Sequence, residues 1–203
     1  MRYILFAAGY MLGPLAFGAN ALPVAYGVAD STPHLNQVHG TMIARMDYKI
    51  PPLQLVRQDG KTVSLPEELN DGRPVVLNFI YTTCQTSCPL SSATFALFQK
   101  QLGAERGRVH LVSISIDPEQ DTPKRLRAYA KKFGAGSEWQ HYTGTLQASV
   151  SAQQSFGVYY GDKMSHTPVT FLRAAPGKPW TRIDGYVAPE QLVHLYHELL
   201  AAP

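Results

Sequence analysis

The sequence predicts an α/β domain with a central mixed sheet flanked by helices. Two nearly continuous apolar runs, over residues 75–81 and 109–116, are typical of central strands that are covered on both faces. Each run is followed by apolar residues at helical spacing, which predicts the order strand, helix, strand, helix. Because this order requires crossover connections, we expect the two strands to be parallel.

A β-hairpin is predicted ahead of the first core strand. Residues 53–57 and 61–65 have strand-like composition and flank an Asp59-Gly60 pair. An Asp-Gly pair between two such runs is a strong signal for a tight hairpin turn. The fold is therefore expected to carry an N-terminal β-hairpin extension.

The first core strand leads to Cys84 and Cys88, which are the two cysteines of the chain. A helix is predicted to follow directly from Pro89 and to stop at Gly103. The thiols are therefore expected at a strand-to-helix junction. Free N–H groups and the positive end of the helix dipole favour the thiolate there.

The second core strand ends at Asp117. After it, Thr122 is expected to cap a helix that opens with Pro123 and stops at Gly134. A weaker helical pattern then runs over residues 146–157.

The last part of the chain predicts two strands and a helix. Residues 169–173 and 181–186 are joined by a short Pro/Gly turn, so these strands are expected to be antiparallel. A final helix starts at Pro189 and carries apolar residues along one face.

This element order, with a cysteine pair after the first core strand, resembles the thioredoxin fold. In that architecture a proline-containing loop before the later hairpin lies against the redox loop. Thr167 and Pro168 stand at that place here, and a proline there resembles the cis-proline of redox thioredoxins. The resemblance favours thiol exchange and places Pro168 as a supporting residue of the site.

Composition limits the classes of function. A chain of 203 residues with 45% hydrophobic residues suits one globular domain with appendages. The net charge of +3, without a block of Lys or Arg, gives no support to nucleic-acid binding.

The N-terminal stretch predicts export. Residues 1–21 resemble a signal peptide, because an apolar run follows Arg2 and Ala19-Asn20-Ala21 fits a small-x-small cleavage site. No charged residue occurs over residues 3–29, so a retained membrane anchor to about residue 29 is the alternative. Residues 22–50, which show no clear periodicity, are interpreted as a linker or N-terminal extension, and residues 51–203 as the thioredoxin-like domain. Either way, the domain would face an oxidising compartment.

The cysteine pair alone allows three interpretations. A structural disulfide would close so small a ring that it would restrict the unfolded chain little. In a redox site, one thiolate attacks a substrate disulfide and the other resolves the mixed disulfide. In a metal site, both thiolates bind a soft ion such as Cu(I), and a nearby imidazole completes the site.

Among seven histidines, His166 is the one that bears on this choice. It precedes Thr167 and Pro168, in the loop that a thioredoxin-like fold places over the cysteines. We therefore expect His166 to be the third ligand of a metal site. Its other ring nitrogen should then have a hydrogen-bond acceptor, which the sequence does not identify.

Several spaced motifs together resemble the Sco/SenC family. They are Cys84-x-x-x-Cys88-Pro89, the run Ser-Ile-Asp-Pro-Glu-Gln-Asp-Thr-Pro over residues 115–123, Trp139 before Thr143-Gly144, and His166 before a strand. The resemblance covers roughly residues 51–200. It implies a thioredoxin-like copper-binding protein on the outer face of the cytoplasmic membrane, used to mature the binuclear copper centre of cytochrome c oxidase.

By position, Cys84, Cys88 and His166 match the copper ligands of that family, and Asp117 matches its nearby acidic residue. For Asp117 we expect a supporting electrostatic or hydrogen-bonding role. The resemblance implies copper as the bound metal, as Cu(I) and also as Cu(II), which an imidazole tolerates.

The leading hypothesis is a periplasmic metallochaperone that delivers copper to the copper-site subunit of cytochrome c oxidase. A copper donor chaperone or a thiol reductant would be a further partner, and the protein would be either soluble after signal cleavage or tethered to the inner membrane. The first alternative is an enzyme, a thiol-disulfide oxidoreductase in which Cys84 and Cys88 reduce cysteines of the oxidase subunit or another exported protein. The second is a copper or redox sensor that acts through a protein partner.

Overall fold

The computed structural model describes residues 36–38 and 41–202. The strands of this part are β1 (Asn36–Val38), β2 (Thr41–Met46), β3 (Gln54–Arg57), β4 (Thr62–Ser64), β5 (Val75–Ile80), β6 (His110–Ser115), β7 (Trp139–Thr143), β8 (Val169–Arg173) and β9 (Trp180–Asp184). The α-helices are α1 (Leu65–Leu69), α2 (Ser87–Leu102), α3 (Pro123–Lys132), α4 (Leu146–Ser155) and α5 (Pro189–Ala201). The predicted signal peptide and its anchor alternative lie outside the described residues.

The strands form one mixed sheet in the order β1-β2-β9-β8-β5-β6-β7-β3-β4. β5 lies between β6, to which it is parallel, and β8, to which it is antiparallel. Every residue of β5 and β6 is buried, as their continuous apolar composition predicts. The predicted parallel pair and the antiparallel pair of β8 and β9 are both confirmed.

Apolar clusters cover both faces of this sheet. On one face α2 packs against α5, with the Phe98 and Tyr196 rings edge to face at 5.5 Å. On the other face Phe156, just after α4, contacts Phe79 of β5 and Phe171 of β8 at 5.6 and 5.0 Å between ring centroids. Cys84 and Cys88 belong to this second cluster, so the thiol loop is anchored in the core.

The predicted hairpin is confirmed, since β3 and β4 pair antiparallel around the Asp59-Gly60 turn. Gly60 has a φ of 91°, a conformation that residues with a Cβ rarely adopt. The second strand ends at Ser64 rather than at residue 65. A short helix follows in its place, with Leu65 and Leu69 buried one turn apart.

The other predicted helices form, with one difference at the cysteines. Thr122 caps α3, as predicted, by accepting a hydrogen bond from the Arg125 amide. α2 begins at Ser87 and not at Pro89, so Cys88 lies in its first turn. Pro89 fits there because the first amides of a helix have no partner within the helix.

Three strands, β1, β2 and β7, form where the sequence predicts none. Residues 36–38 and 41–46, interpreted as part of a linker or N-terminal extension, form β1 and β2, and β2 pairs with the edge of β9, where Ile43 faces Ile183. Residues 139–143 pair as β7 with β6. Partners distant in sequence supply the hydrogen bonds of β2 and β7, and neither segment shows a strong local pattern.

Over residues 36–38 and 41–202, no helix is both long enough and apolar enough to cross a membrane.

Candidate metal centre

Cys84 and Cys88 lie together at the end of β5 and the start of α2, as predicted. Both thiols are free and buried, with 6% and 2% of their surface exposed. The Cys88 amide donates a hydrogen bond to Cys84 Sγ at 3.3 Å, and the Ser87 hydroxyl lies 3.6 Å from the same sulfur. The start of α2 therefore points its donors at Cys84.

These contacts, together with burial, give the two thiols very different pKa values. Burial raises the pKa of Cys84, but hydrogen bonds from the Cys88 amide, the Ser87 hydroxyl and the Thr86 amide outweigh it and lower the pKa to about 6. Burial raises the pKa of Cys88 to about 12, and the adjacent Cys84 adds to the rise. At neutral pH the pair is one thiolate beside one thiol.

The difference between the two pKa values predicts how alkylation of the reduced, metal-free protein depends on pH. Only the thiolate reacts, so the rate at Cys84 should rise as pH passes through about 6 and level off above it. Cys88 should stay almost unreactive to far higher pH. Iodoacetamide labelling followed by peptide mass spectrometry measures both sites in one sample. A midpoint for Cys84 near the ordinary thiol value of about 8.5 would contradict the assignment.

Asp121 fixes the loop that carries the thiols, a role that the sequence did not indicate. Its carboxylate is fully buried and accepts hydrogen bonds from the amide of Thr82, at 3.1 and 3.2 Å to its two oxygens, and from the Thr82 hydroxyl. It also accepts one from the Ser115 hydroxyl at 2.6 Å. Asp121 therefore ties the thiol loop to the end of β6.

His166 follows a 3-10 turn over Lys163–Ser165 and leads into β8. Its Nε2 lies 3.1 Å from the carbonyl oxygen of Phe79, in β5. A carbonyl only accepts, so Nε2 is the protonated nitrogen and Nδ1 carries a lone pair. The Phe79 carbonyl thus occupies the place of the expected acceptor for the second ring nitrogen.

The other nitrogen of His166 is available as a ligand. Nδ1 is buried and has no hydrogen-bond partner within the described part of the chain. Burial lowers the pKa of His166, against a smaller opposing effect of the Phe79 hydrogen bond, so the ring is neutral at pH 7. A neutral imidazole with an unused lone pair is the form that binds metal ions.

Asp117 lies beside this turn and forms an ion pair with Lys163, whose Nζ is 2.6 Å from the carboxylate. The hydrogen bond to Asp117 raises the pKa of Lys163. Asp117 and His166 both line a cleft of ≈ 380 Å³. In this structure Asp117 therefore holds the turn that carries His166.

The three predicted ligands are not assembled as one cluster. Within residues 41–202, no group of three or more His, Cys, Asp or Glu side chains is arranged to hold a metal ion. The cleft beside His166 is lined by described residues that do not include the cysteines. The structure brings Cys84 and Cys88 together. It places His166 against β5, the strand that leads to the two cysteines.

Pro168 differs from the expectation based on redox thioredoxins. The described residues contain no cis peptide bond, so the bond between Thr167 and Pro168 is trans. The Pro168 carbonyl instead accepts a hydrogen bond from the Gly185 amide at 2.9 Å, at the open end of the β8 and β9 pair. The resemblance to the cis-proline was wrong.

Comparison with known proteins places the chain in a family. The sequence model of SCO1/SenC matches residues 43–201, which include the thiol loop, Asp117 and His166. The chain belongs to the SCO1/SenC family. The resemblance seen in the motifs is confirmed.

Individual relatives also support membership of the SCO1/SenC family. A SCO1 protein homolog of Bacillus subtilis is 37% identical over 106 residues, which cover 52% of this chain and 54% of the relative. The solved structure of Arabidopsis thaliana ScoI with copper bound is 27% identical, with a TM-score of 0.64 over 75% of this chain and 99% of that one. BsSco, described as a member of the Sco family of cytochrome c oxidase assembly proteins with a disulfide switch, is 27% identical, with a TM-score of 0.65 over 78% and 97% of the two chains.

These solved structures confirm the predicted thioredoxin-like fold with its mixed sheet and flanking helices. The matched part spans about half the length of the Bacillus subtilis relative, at 54%.

The donor atoms of this SCO1/SenC chain suit a soft metal ion. Thiolate sulfur favours Cu(I), and imidazole nitrogen suits copper in either oxidation state. Cys84 supplies one thiolate at neutral pH and Cys88 a second sulfur, and His166 supplies an Nδ1 that no described residue contacts by a hydrogen bond.

Proposed function

We propose that this chain is a metallochaperone that binds copper through Cys84, Cys88 and His166 and delivers it to the copper-site subunit of cytochrome c oxidase during assembly. The observation that carries the proposal is the neutral His166 ring of this SCO1/SenC member, whose buried Nδ1 has no partner among residues 36–38 and 41–202. The copper bound by Arabidopsis thaliana ScoI and the oxidase-assembly role given for BsSco support it.

Copper is the cargo of this proposed reaction. Cys84 offers a thiolate at once, whereas Cys88 has to release its proton as the metal binds. The His166 ring and the two sulfurs have to approach one another, because they do not form a ready cluster in the described residues. A site with so few ligands then allows copper to leave by ligand exchange with the acceptor protein.

The proposed place of action is the outer face of the cytoplasmic membrane, in the periplasm. The support is the apolar N-terminal stretch with its small-x-small site. It predicts either a soluble protein after signal cleavage or a protein tethered to the membrane. An upstream copper donor chaperone or a thiol reductant would keep the site loaded or reduced.

Replacement of His166 by alanine tests the proposal. The reduced wild-type protein should retain one copper against a competing chelator, and His166→Ala should weaken retention at least about tenfold, or ~1.4 kcal/mol. Chelator titration followed spectroscopically measures both. The matched control is His194→Ala, since His194 is a surface histidine with 71% of its side chain exposed, paired with Glu198. Failure of the wild type to retain copper, or equal retention by His166→Ala, would refute the proposal.

Thiol-disulfide exchange is a second candidate, favoured by the low pKa of Cys84 beside the high pKa of Cys88. The Cys84 thiolate would attack a disulfide of the oxidase subunit, forming a mixed disulfide and releasing one substrate thiolate. Cys88 would then attack Cys84 Sγ, releasing the second substrate thiol and leaving the protein oxidised. A thiol reductant would have to restore it. This activity does not need the imidazole, so an exchange rate unchanged in His166→Ala, with no copper retained by the wild type, would favour it.

A further inference from the structure

The apolar side chain of Met164 is unusually exposed to solvent. It lies on the Lys163–Ser165 turn, two residues before His166, and 74% of its surface is exposed. The turn is held in shape by two contacts of the residues that precede Met164. Asp162 accepts a hydrogen bond from the Met164 amide at 2.9 Å, and Lys163 pairs with Asp117. Met164 thus gains little from burial, yet it is held at a defined position.

The thioether of Met164 is directed at the thiol loop. The hydroxyl of Tyr81 donates to Met164 Sδ at 3.8 Å, and the Tyr81 carbonyl accepts a hydrogen bond from the Cys84 amide at 3.1 Å. Burial, then interaction with the Cys84 thiol, raises the pKa of Tyr81 to about 12. Met164 Sδ therefore contacts the residue whose backbone carbonyl holds the Cys84 amide at the base of the thiol loop.

We propose that the Met164 thioether is a further copper ligand, which takes Cu(I) at the exposed edge of the site and exchanges it with Cys84 and Cys88. This inference rests on the proposed copper function. A thioether is a soft ligand that selects Cu(I), and it has two lone pairs. One accepts the Tyr81 hydroxyl, and the other remains open to a metal ion.

The chemistry of the step is ligand exchange. A bond between Cu(I) and Met164 Sδ forms and is then replaced by bonds to the cysteine sulfurs, with no change of oxidation state. Because a thioether carries neither charge nor proton, it binds Cu(I) more weakly than a thiolate does. A neutral ligand at the solvent edge would accept the ion without a proton being released, and the cysteine sulfurs, which bind Cu(I) more strongly, would then replace it and lose any thiol proton to solvent.

The experiment labels the methionine methyl groups with carbon-13 in the reduced chain. One equivalent of Cu(I) should shift the Met164 methyl resonance, which is assigned from its loss in Met164→Leu. Met42, on β2, is 44% exposed and should show no shift. The substitution Met164→Leu should slow copper uptake on the order of tenfold, which corresponds to about 1.4 kcal/mol in the barrier. The matched variant Met42→Leu should take up copper at the wild-type rate.

The outcomes separate this inference from the proposed function. If copper is retained and its retention depends on His166, but the Met164 methyl does not move, the Met164 site is refuted and the proposed function stands. Uptake by Met164→Leu at the wild-type rate would also count against the transfer step. If the reduced chain retains no Cu(I), both fail.

Discussion

Serine in place of either cysteine is expected to abolish stoichiometric copper binding. A serine hydroxyl is a hard donor that stays protonated, whereas Cu(I) requires soft thiolate sulfur. Removing one of two sulfur ligands should weaken copper retention at least about a thousandfold, or ~4 kcal/mol. Competition with a Cu(I) chelator measures the loss in Cys84→Ser and in Cys88→Ser, each kept under reducing conditions.

The effect has to be distinguished from unfolding, because both thiols pack in the core cluster with Phe79 and Phe171. Urea unfolding of each variant supplies that control. A Cys84→Ser protein that folds and still holds one copper against the chelator would exclude this thiol from the metal site. The same result for Cys88→Ser would leave Cys84 and His166 as the only ligands among the three proposed.

The parts of the fold that the sequence predicted are those specified by local signals. β5 and β6 are buried on both faces, so their side chains are apolar throughout and stand out in the sequence. The turn at Asp59 and Gly60 specifies its hairpin in the same way. β7 carries Gln140 and His141 within its five residues, and its pairing with β6 and β3 makes it a strand. No local pattern contains that information.

The same distinction applies to the site. Cys84, Cys88 and His166 could be selected because residue type and place in the element order are both readable from the sequence. The contacts that define their chemistry join residues far apart in the chain. The Phe79 carbonyl and His166 are 87 positions apart, and Thr82 and Asp121 are 39 apart. Such hydrogen bonds depend on how strands and loops pack, so the sequence could supply the ligand types but not their partners.

Among substitutions of buried polar residues near the thiol loop, we expect Asp121→Ala to cause the largest loss of stability. The substitution leaves the Thr82 amide, the Thr82 hydroxyl and the Ser115 hydroxyl without their buried acceptor. Unsatisfied buried donors are costly, and we expect the free energy of unfolding to fall by about 3 kcal/mol. Urea unfolding of the reduced protein, followed by circular dichroism, measures the change.

Asp59→Ala is the matched control. Asp59 is a surface carboxylate paired with Arg57, with 41% of its side chain exposed, and its loss should cost less than about 1 kcal/mol. Asp121→Asn keeps the size and one carbonyl oxygen, so its stability should fall between those of the wild type and the alanine variant. Amide hydrogen exchange at Thr82 should accelerate in Asp121→Ala before global unfolding, because that amide loses its acceptor at the base of the thiol loop. Exchange at Thr82 equal to that of the wild type would mean that Asp121 does not hold the loop that presents Cys84.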